Sequence, residues 1–212
     1  MTSVGPLDRL DSAVRAVSTD RKAMLHAVGV VEAAATALDA TDLVCTTGQG
    51  SPARSSHRKA VPLETRAESQ LRVLVGIVGA YEQALRALGM ASVAVDGAAR
   101  SALLRVVTSG QAEATAVRAF GARATGLWPQ YVALNKNEAL WITRAVTPWY
   151  RNDQEGKAAY QVLMEDLRPA LDVARTQLGN AVNRVQQVVE GQTAVLAAAD
   201  GALAAVRGRN KK

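Results

Sequence analysis

The 212-residue chain has a formal net charge of +6, is 49% apolar and contains a single cysteine, Cys45. A chain of this length can bury a full core, while one cysteine excludes an internal disulfide framework and is compatible with the reducing cytoplasm, where we expect the protein to reside. The N-terminal sequence MTSVGPLDRLD has no basic start followed by an apolar run, so no secretory signal is expected.

The composition favours an all-α protein. Alanine and valine dominate the apolar residues, alanine is the best helix former, and strand-like alternation is almost absent. We expect an elongated antiparallel helical bundle or coiled coil of about four long helices plus a short aromatic-rich helical insertion, as a single domain over residues 1–212. No uninterrupted apolar window approaches roughly 18 residues, so no membrane span is expected.

The first helix is predicted over residues 6–40. Its apolar stripe advances in steps of three and four, which is the spacing of a coiled-coil seam. Only Arg21 interrupts the apolar set. Two roles stay open for it: pairing with an acidic residue and thereby fixing the register of the helices, or extending to the edge of the seam. The stripe consists of Leu7, Leu10, Val14, Val17, Arg21, Met24, Val28, Val31, Ala35 and Leu38.

Residues 41–62 are predicted to form a flexible loop, because Gly48, Gly50 and Pro52 disfavour a helix. The second half of this segment is basic. One hypothesis is that it binds phosphate or becomes ordered on a partner; the alternative is a mobile surface loop. The candidate residues of this basic loop are Arg54, His57, Arg58 and Lys59.

Two further helices are predicted over residues 63–88 and 97–124. The first has a widened apolar stripe and is expected to be central, with Gly76 and Gly79 allowing close approach of a neighbour. Residues 100–151 contain seven basic and two acidic residues. This excess charge either meets phosphate or anionic lipid, or forms a solvated arginine-rich surface.

The segment 125–152 holds most of the tryptophan and tyrosine residues, with a short helix predicted over 137–146. Aromatic anchors flanked by cations are typical of a protein-recognition patch. The alternative is a small satellite core, because large rings also fill irregular junctions. The candidate partner-binding residues are Trp128, Tyr131, Trp141, Arg144, Trp149, Tyr150 and Arg151.

The last helix is predicted over residues 153–207. Pro169 lies within its apolar stripe and lacks a backbone N–H. The helix is therefore expected to kink at this proline, or to break there and restart with the proline in its first turn.

The sequence offers little catalytic chemistry. Neither His26 nor His57 has a second histidine or a cysteine at metal-ligand spacing, and no nucleophile elbow or phosphate-binding glycine loop is present. We therefore expect no cofactor, no metal and no enzymatic activity. The predicted function is structural or adaptor, through self-association or docking of a protein partner. Two alternatives stay open: a peripheral protein of anionic membrane surfaces, and a basic nucleic-acid-binding protein.

Overall fold

Four long helices account for nearly all of the described chain, and no strand occurs in the described residues. The structure is a computed structural model that describes residues 5–46, 50–146, 158 and 161–209, with side chains described over 5–39, 61–137, 158, 161–162 and 165–208. The helices are α1 (Pro6–Thr46), α2 (Gly50–Ala91), α3 (Gly97–Val146) and α4 (Arg168–Arg209). The predicted all-α bundle of four long helices is confirmed.

The predicted loop over residues 41–62 is wrong for most of its length. Helix α1 continues to Thr46 and α2 begins at Gly50. Of the predicted loop, only residues 47–49 lie outside the described residues. Pro52 falls in the first turn of α2, where no intrahelical N–H bond is lost. The residues that follow it are largely alanine, arginine and lysine, which favour a helix.

Helix α3 is also longer than predicted. The expected helices over 97–124 and 137–146 are one continuous helix, with Pro129 inside it. A proline in a helix interior costs about 3 kcal/mol. Pro129 is exposed, while Trp128 and Tyr131 beside it are buried. Burying two large rings at roughly 1.5–3 kcal/mol each offsets the cost of the proline.

At Pro169, where a kink or a break was expected, the structure has a π-helical turn just before the proline. A π-helical turn over Leu163–Leu167 leads directly into α4, and Pro169 is the second residue of α4. Because proline cannot donate a backbone hydrogen bond and its ring crowds the carbonyl four residues earlier, the wider π turn accommodates it. The helical path continues through the proline without a break.

The connection between α2 and α3 is short. A 3₁₀ turn over Ser92–Ala94 follows α2, and the Val95 N–H donates to the Ser92 carbonyl at 3.3 Å. Gly97 then begins α3 with a φ of 60°. A positive φ is disfavoured for residues that carry a Cβ, so this position requires glycine.

The chain divides into two compact units, and each long helix contributes residues to both. The first unit comprises Met1–His26, Val73–Gly121 and Asn183–Lys212; the second comprises Ala27–Arg72 and Ala122–Val182. The expectation of a single domain over 1–212 stays a prediction.

In the first unit, α1 and α4 run antiparallel, because Asp11 pairs with Arg207 and Arg21 binds Thr193. Helices α2 and α3 also run antiparallel, since Gly110 lies against Leu85 and Gly121 lies against Leu74. Large apolar side chains from all four helices fill the interior, as their three-and-four spacing requires. They include Leu10, Val17, Met24, Val78, Leu88, Leu103, Val106, Val117, Phe120, Val185 and Leu203.

The second unit has its own apolar interior. Trp128 and Tyr131 are 3% and 1% exposed, and their ring centroids are 5.9 Å apart. The rings lie one helical turn apart on α3 and belong to the same buried face. The remaining core residues of this unit include Val28, Val31, Leu38, Ala67, Leu71, Ala124, Leu171, Leu178 and Val182.

One described helical stretch, Val61–Ala94, is apolar and long enough to cross a membrane by composition, with a mean hydropathy of 1.2 over its best window. The same stretch supplies core residues such as Leu74, Val78 and Leu85. Only 33% of that window is buried, however, so much of its apolar character faces outward.

Two glycines in the first unit give a matched test of this packing. A Cβ at Gly110 would lie 2.6 Å from Leu85 Cδ2 and 2.9 Å from the Tyr81 hydroxyl oxygen, whereas a Cβ at Gly191 would meet nothing within 4 Å. We expect Gly110→Ala to destabilise the protein by about 1–3 kcal/mol through overpacking. Gly191→Ala should instead stabilise it by up to about 1 kcal/mol through helix propensity.

Urea unfolding followed by far-UV circular dichroism checks both variants. Equal effects of the two substitutions would contradict the close approach of α2 and α3 at Gly110.

Candidate functional site

The most unusual feature of the first unit is a carboxylate buried in its interior. Glu113 of α3 has a fully buried side chain, and Arg21 of α1 forks onto it. The Arg21 Nε lies 3.0 and 2.9 Å from the two carboxylate oxygens, and an Arg21 Nη lies 2.8 Å from one of them. Such charge-assisted contacts are stronger than neutral hydrogen bonds.

Two more side chains complete this cluster, which we call the Glu113 layer: Arg21, Tyr81, Glu113 and Gln192. The Tyr81 hydroxyl on α2 donates to Glu113 at 2.9 Å and accepts from the Gln192 side-chain amide of α4 at 3.2 Å. Gln192 also donates to the Val106 carbonyl at 3.2 Å. Each of the four helices therefore contributes one side chain to the layer.

Arg21 ties α1 to α4 as well. The same Nη that binds Glu113 also lies 3.1 Å from the Val189 carbonyl oxygen and 3.1 Å from the Thr193 hydroxyl oxygen. A guanidinium needs several acceptors when it leaves water, and here a carboxylate, a carbonyl and a hydroxyl supply them. The structure thus resolves the two roles considered for Arg21: it pairs with an acidic residue.

The protonation of Tyr81 follows from its surroundings. Burial, the negative charge of Glu113 and the hydrogen bond to Glu113 raise the pKa of Tyr81 above its usual value, while Gln192 and Arg21 act in the opposite direction. The phenol therefore stays protonated and remains a hydrogen-bond donor to the carboxylate.

The second unit contains a related cluster, the Asp39 layer: Asp39, Tyr131 and Arg175. The Tyr131 hydroxyl on α3 donates to the Asp39 carboxylate of α1, and the Arg175 Nε of α4 donates to it at 2.8 Å. Burial and the neighbouring Asp39 raise the pKa of Tyr131. Arg175 also binds Asp172 one turn earlier at 2.8 Å.

Helix α2 joins α3 in the second unit through a different pair. Glu64, with 7% of its side chain exposed, lies 3.3 Å from the Lys136 ammonium. Each unit therefore combines an apolar interior with a carboxylate that cations from another helix neutralise, as buried charges require.

The structure separates the predicted partner-binding residues. Trp128 and Tyr131 are core residues of the second unit, and Tyr131 belongs to the Asp39 layer. For these two residues the arrangement favours the satellite-core alternative. Trp141 and Arg144 are in the last turns of α3, but their side chains lie outside the described residues, as do Trp149, Tyr150 and Arg151 entirely.

The predicted basic-loop residues have a helical backbone near the start of α2. The side chains of Arg54, His57, Arg58 and Lys59 lie outside the described residues, so the phosphate-binding hypothesis stays a prediction.

The sequence analysis did not single out Glu113, Gln192 or Asp39 as site residues. The sequence nevertheless contains a signal for Glu113 and Gln192. Glu113 lies three residues after Gly110 and four before Val117, so the three-and-four spacing of apolar and small residues in the helix predicted over 97–124 places a charged residue on its apolar face. Gln192 lies three residues after Val189 and four before Leu196, where three-and-four spacing predicts an apolar residue. A polar residue at such a position predicts a buried partner, but not which partner.

The two layers are suited to holding helices together and offer little for catalysis. Their charged groups and hydroxyls bind one another, while the buried Gln192 Oε1 has no hydrogen-bond partner among the described residues. One groove of about 540 Å³ is lined mainly by small and apolar residues from the start of α1 and the end of α2. Within the described residues, no group of three or more His, Cys, Asp or Glu side chains could hold a metal ion.

No protein-family model, curated protein or solved structure matches this chain.

The Glu113 layer can be tested by removing its charges singly and together. Arg21→Met leaves a buried carboxylate uncompensated, so we expect a loss of about 3–5 kcal/mol in the free energy of unfolding. Adding Glu113→Leu should recover more than half of that loss, because the buried charge disappears with its partner. Chemical unfolding measures both variants.

Arg118→Met is the matched control, because Arg118 is half-exposed and pairs with Glu82 near the surface at 2.8 Å. Arg118→Met should lower the free energy of unfolding by less than about 1 kcal/mol. A double variant no more stable than Arg21→Met alone would contradict the assignment of the cost to Glu113.

The raised pKa values of Tyr81 and Tyr131 set the direction of an alkaline dependence. The folded protein holds these protons more tightly than the unfolded chain, in which tyrosine has a pKa of about 10. Their contribution is fully present below about pH 10 and is lost as the pH rises above it. The free energy of unfolding, measured with urea at a series of pH values above about 10, should decline more steeply with pH for the native chain than for the double variant Tyr81→Phe, Tyr131→Phe. Parallel declines would contradict the raised pKa values of the two tyrosines.

Proposed function

We propose that this chain is a non-enzymatic structural or adaptor protein that acts through helix–helix association, with itself or with a protein partner. Its partners would be a second copy or another helical protein, and no cofactor is required. The cytoplasmic setting expected for a chain with one cysteine belongs to this proposal.

The observation that supports it most is the outward side of α2 in the first unit. Val73, Val75, Met90 and Val93 are 51%, 69%, 72% and 67% exposed. These are four of the eight large apolar residues that are exposed in the described chain. By the helical period Val75, Met90 and Val93, the last in the turn after α2, lie on the same side, whereas Val73, two residues before Val75, lies on the opposite flank. Exposed apolar side chains on one side of a helix favour a docking surface, whereas scattered ones carry no such meaning.

The same stretch also lacks charge on much of its outer side. Residues 73–81, VLVGIVGAY, contain no ionisable group other than Tyr81, and Tyr81 is buried. The layers inside each unit already satisfy the buried charges, so an association would use this outer face without disturbing them.

Light scattering after size exclusion, at low and high salt, tests the proposal. We expect a defined dimer or larger species whose mass changes little with salt, because apolar contacts are only weakly screened. A monomer under both conditions and over a wide concentration range would count against self-association.

The main alternative is a protein of anionic membrane surfaces, and one observation favours it. The apolar window within Val61–Ala94 is only partly buried, and Arg72 and Arg86 are exposed on the same helix. Vesicles separate the two functions: sedimentation with phosphatidylserine vesicles and not with neutral ones would support the membrane function. Loss of binding to DNA with rising salt would instead support the nucleic-acid alternative.

The aromatic segment stays a second candidate for docking. Since Trp128 and Tyr131 are buried, the hypothesis now concerns Trp141, Arg144, Trp149, Tyr150 and Arg151 alone.

A further inference from the structure

Six positions along α2 and the 3₁₀ turn after it form one stripe, which we call the α2 stripe: Val75, Gly79, Glu82, Arg86, Gly89 and Val93. Their steps alternate between four and three, which places successive members on one helix face. Val75, Arg86 and Val93 are exposed, whereas Gly79, Glu82 and Gly89 are partly exposed. The stripe lies wholly within the first unit.

The order of residue types along the stripe is the same from either end, except that the two central charges have opposite signs. From either end the order is valine, glycine, charged residue, charged residue, glycine, valine. The three pairs, Val75 with Val93, Gly79 with Gly89 and Glu82 with Arg86, are each symmetric about position 84. An identical helix laid antiparallel would therefore meet valine with valine, glycine with glycine and acid with base.

We propose that a second copy of this chain binds the α2 stripe, with the two α2 helices antiparallel about a twofold axis that passes the outer side of α2 at the level of position 84. This inference deepens the proposed function and rests on its self-association. Twofold interfaces use the same patch on both copies, so a self-complementary stripe fits a dimer better than an unrelated partner.

Charge complementarity fixes the centre of the interface. Glu82 faces Arg118 of its own chain at 2.8 Å through Oε1, and its other oxygen would receive Arg86 of the partner subunit. Two such pairs, related by the axis, set both the direction and the register of the helices. A parallel arrangement would place Glu82 against the partner's Glu82 instead.

The glycines permit the approach that this pairing needs. A Cβ at Gly79 would meet nothing within 4 Å, and one at Gly89 would meet only Val107 at 3.8 Å. The outer side of α2 is therefore open at Gly79, where a facing helix can come close, whereas Gly89 borders Val107 of α3. Small residues at a helix contact shorten the interaxial distance within the usual range of roughly 8–10 Å.

A membrane is a poorer occupant of this face. The ionised centre of the stripe, Glu82 and Arg86, would have to enter or adjoin hydrocarbon, where charged side chains are costly. A second copy supplies the opposite charge to each of them.

The length of the stripe indicates a reversible dimer. From 75 to 93 a helix rises about 27 Å at 1.5 Å per residue, and one helix pair of that length covers less than the roughly 800 Å² per partner of a standard interface. The dimer should therefore depend on concentration, so the dissociation constant is the quantity to measure.

A charge swap tests the register. Sedimentation equilibrium would compare the native chain, Glu82→Arg, Arg86→Glu and the double variant. Each single reversal should weaken the dimer by about tenfold or more, because like charges meet across the axis. The double variant should regain most of the native affinity. Arg66→Glu and Glu190→Arg, exposed changes of the same sign outside the stripe, should leave it unaltered.

Because Glu82 also pairs with Arg118, an apolar variant provides an independent arm. Val75→Asp should dissociate the dimer, whereas Val173→Asp, at a residue 56% exposed in the second unit, should not. Far-UV circular dichroism verifies that each variant keeps its helices.

The outcomes separate the two proposals. A native dimer that ignores the single reversals and Val75→Asp overturns the α2 stripe and leaves self-association standing. A double variant as weak as the single ones overturns the antiparallel register. A native chain that stays monomeric at every concentration overturns the α2 stripe and self-association together, and so does one that binds vesicles as a monomer.

Discussion

The burial of Glu113 is the constraint on which the first unit depends. An ionised carboxylate without water is tolerated only where paired and hydrogen-bonded, and here α1 supplies Arg21 and α2 supplies Tyr81. Gln192 of α4 holds the Tyr81 hydroxyl in turn. Sliding any one of these helices by a turn, about 5.4 Å, would break the contacts and leave a charge uncompensated. Apolar stripes of alanine and valine would tolerate such a slide far better, so the polar layer gives the packing its register.

The helices themselves were predictable because their evidence is repeated along the chain. Leu10, Val17, Met24 and Leu38 recur at three-and-four spacing and are all buried. The predicted helix ends were wrong where a proline or glycine was given more weight than that periodicity. Pro129 predicts a helix end by its own chemistry, yet Trp128 and Tyr131 continue the stripe on either side of it and tertiary burial prevails. The same holds for Gly50 and Pro52, which mark the start of α2 and not a loop.

The site was less predictable than the fold, for a physical reason. Periodicity shows which face of a helix is inside, but a charge on that face is neutralised by residues that are remote in sequence. Arg21 and Glu113 are 92 residues apart, and no local pattern connects them. Tyr131 illustrates the reverse difficulty: its ring suggested a recognition anchor, whereas its hydroxyl binds Asp39 and Ala35 from within the core. An amphipathic side chain can serve either purpose, and only the packing decides between them.

The inner and outer sides of helix α2 differ in what they contact. Its inner side supplies Tyr81 to the Glu113 layer and places Leu85 against Gly110. Its outer side leaves Val75 and Val93 in water, although nothing in the first unit's interior requires them to be valine. Exposed valine costs solvation and contributes less to helix propensity than alanine, which the chain uses freely elsewhere. Single exposed valines are common on protein surfaces. What favours a surface that meets another helix is their symmetric placement about the central Glu82 and Arg86 charges.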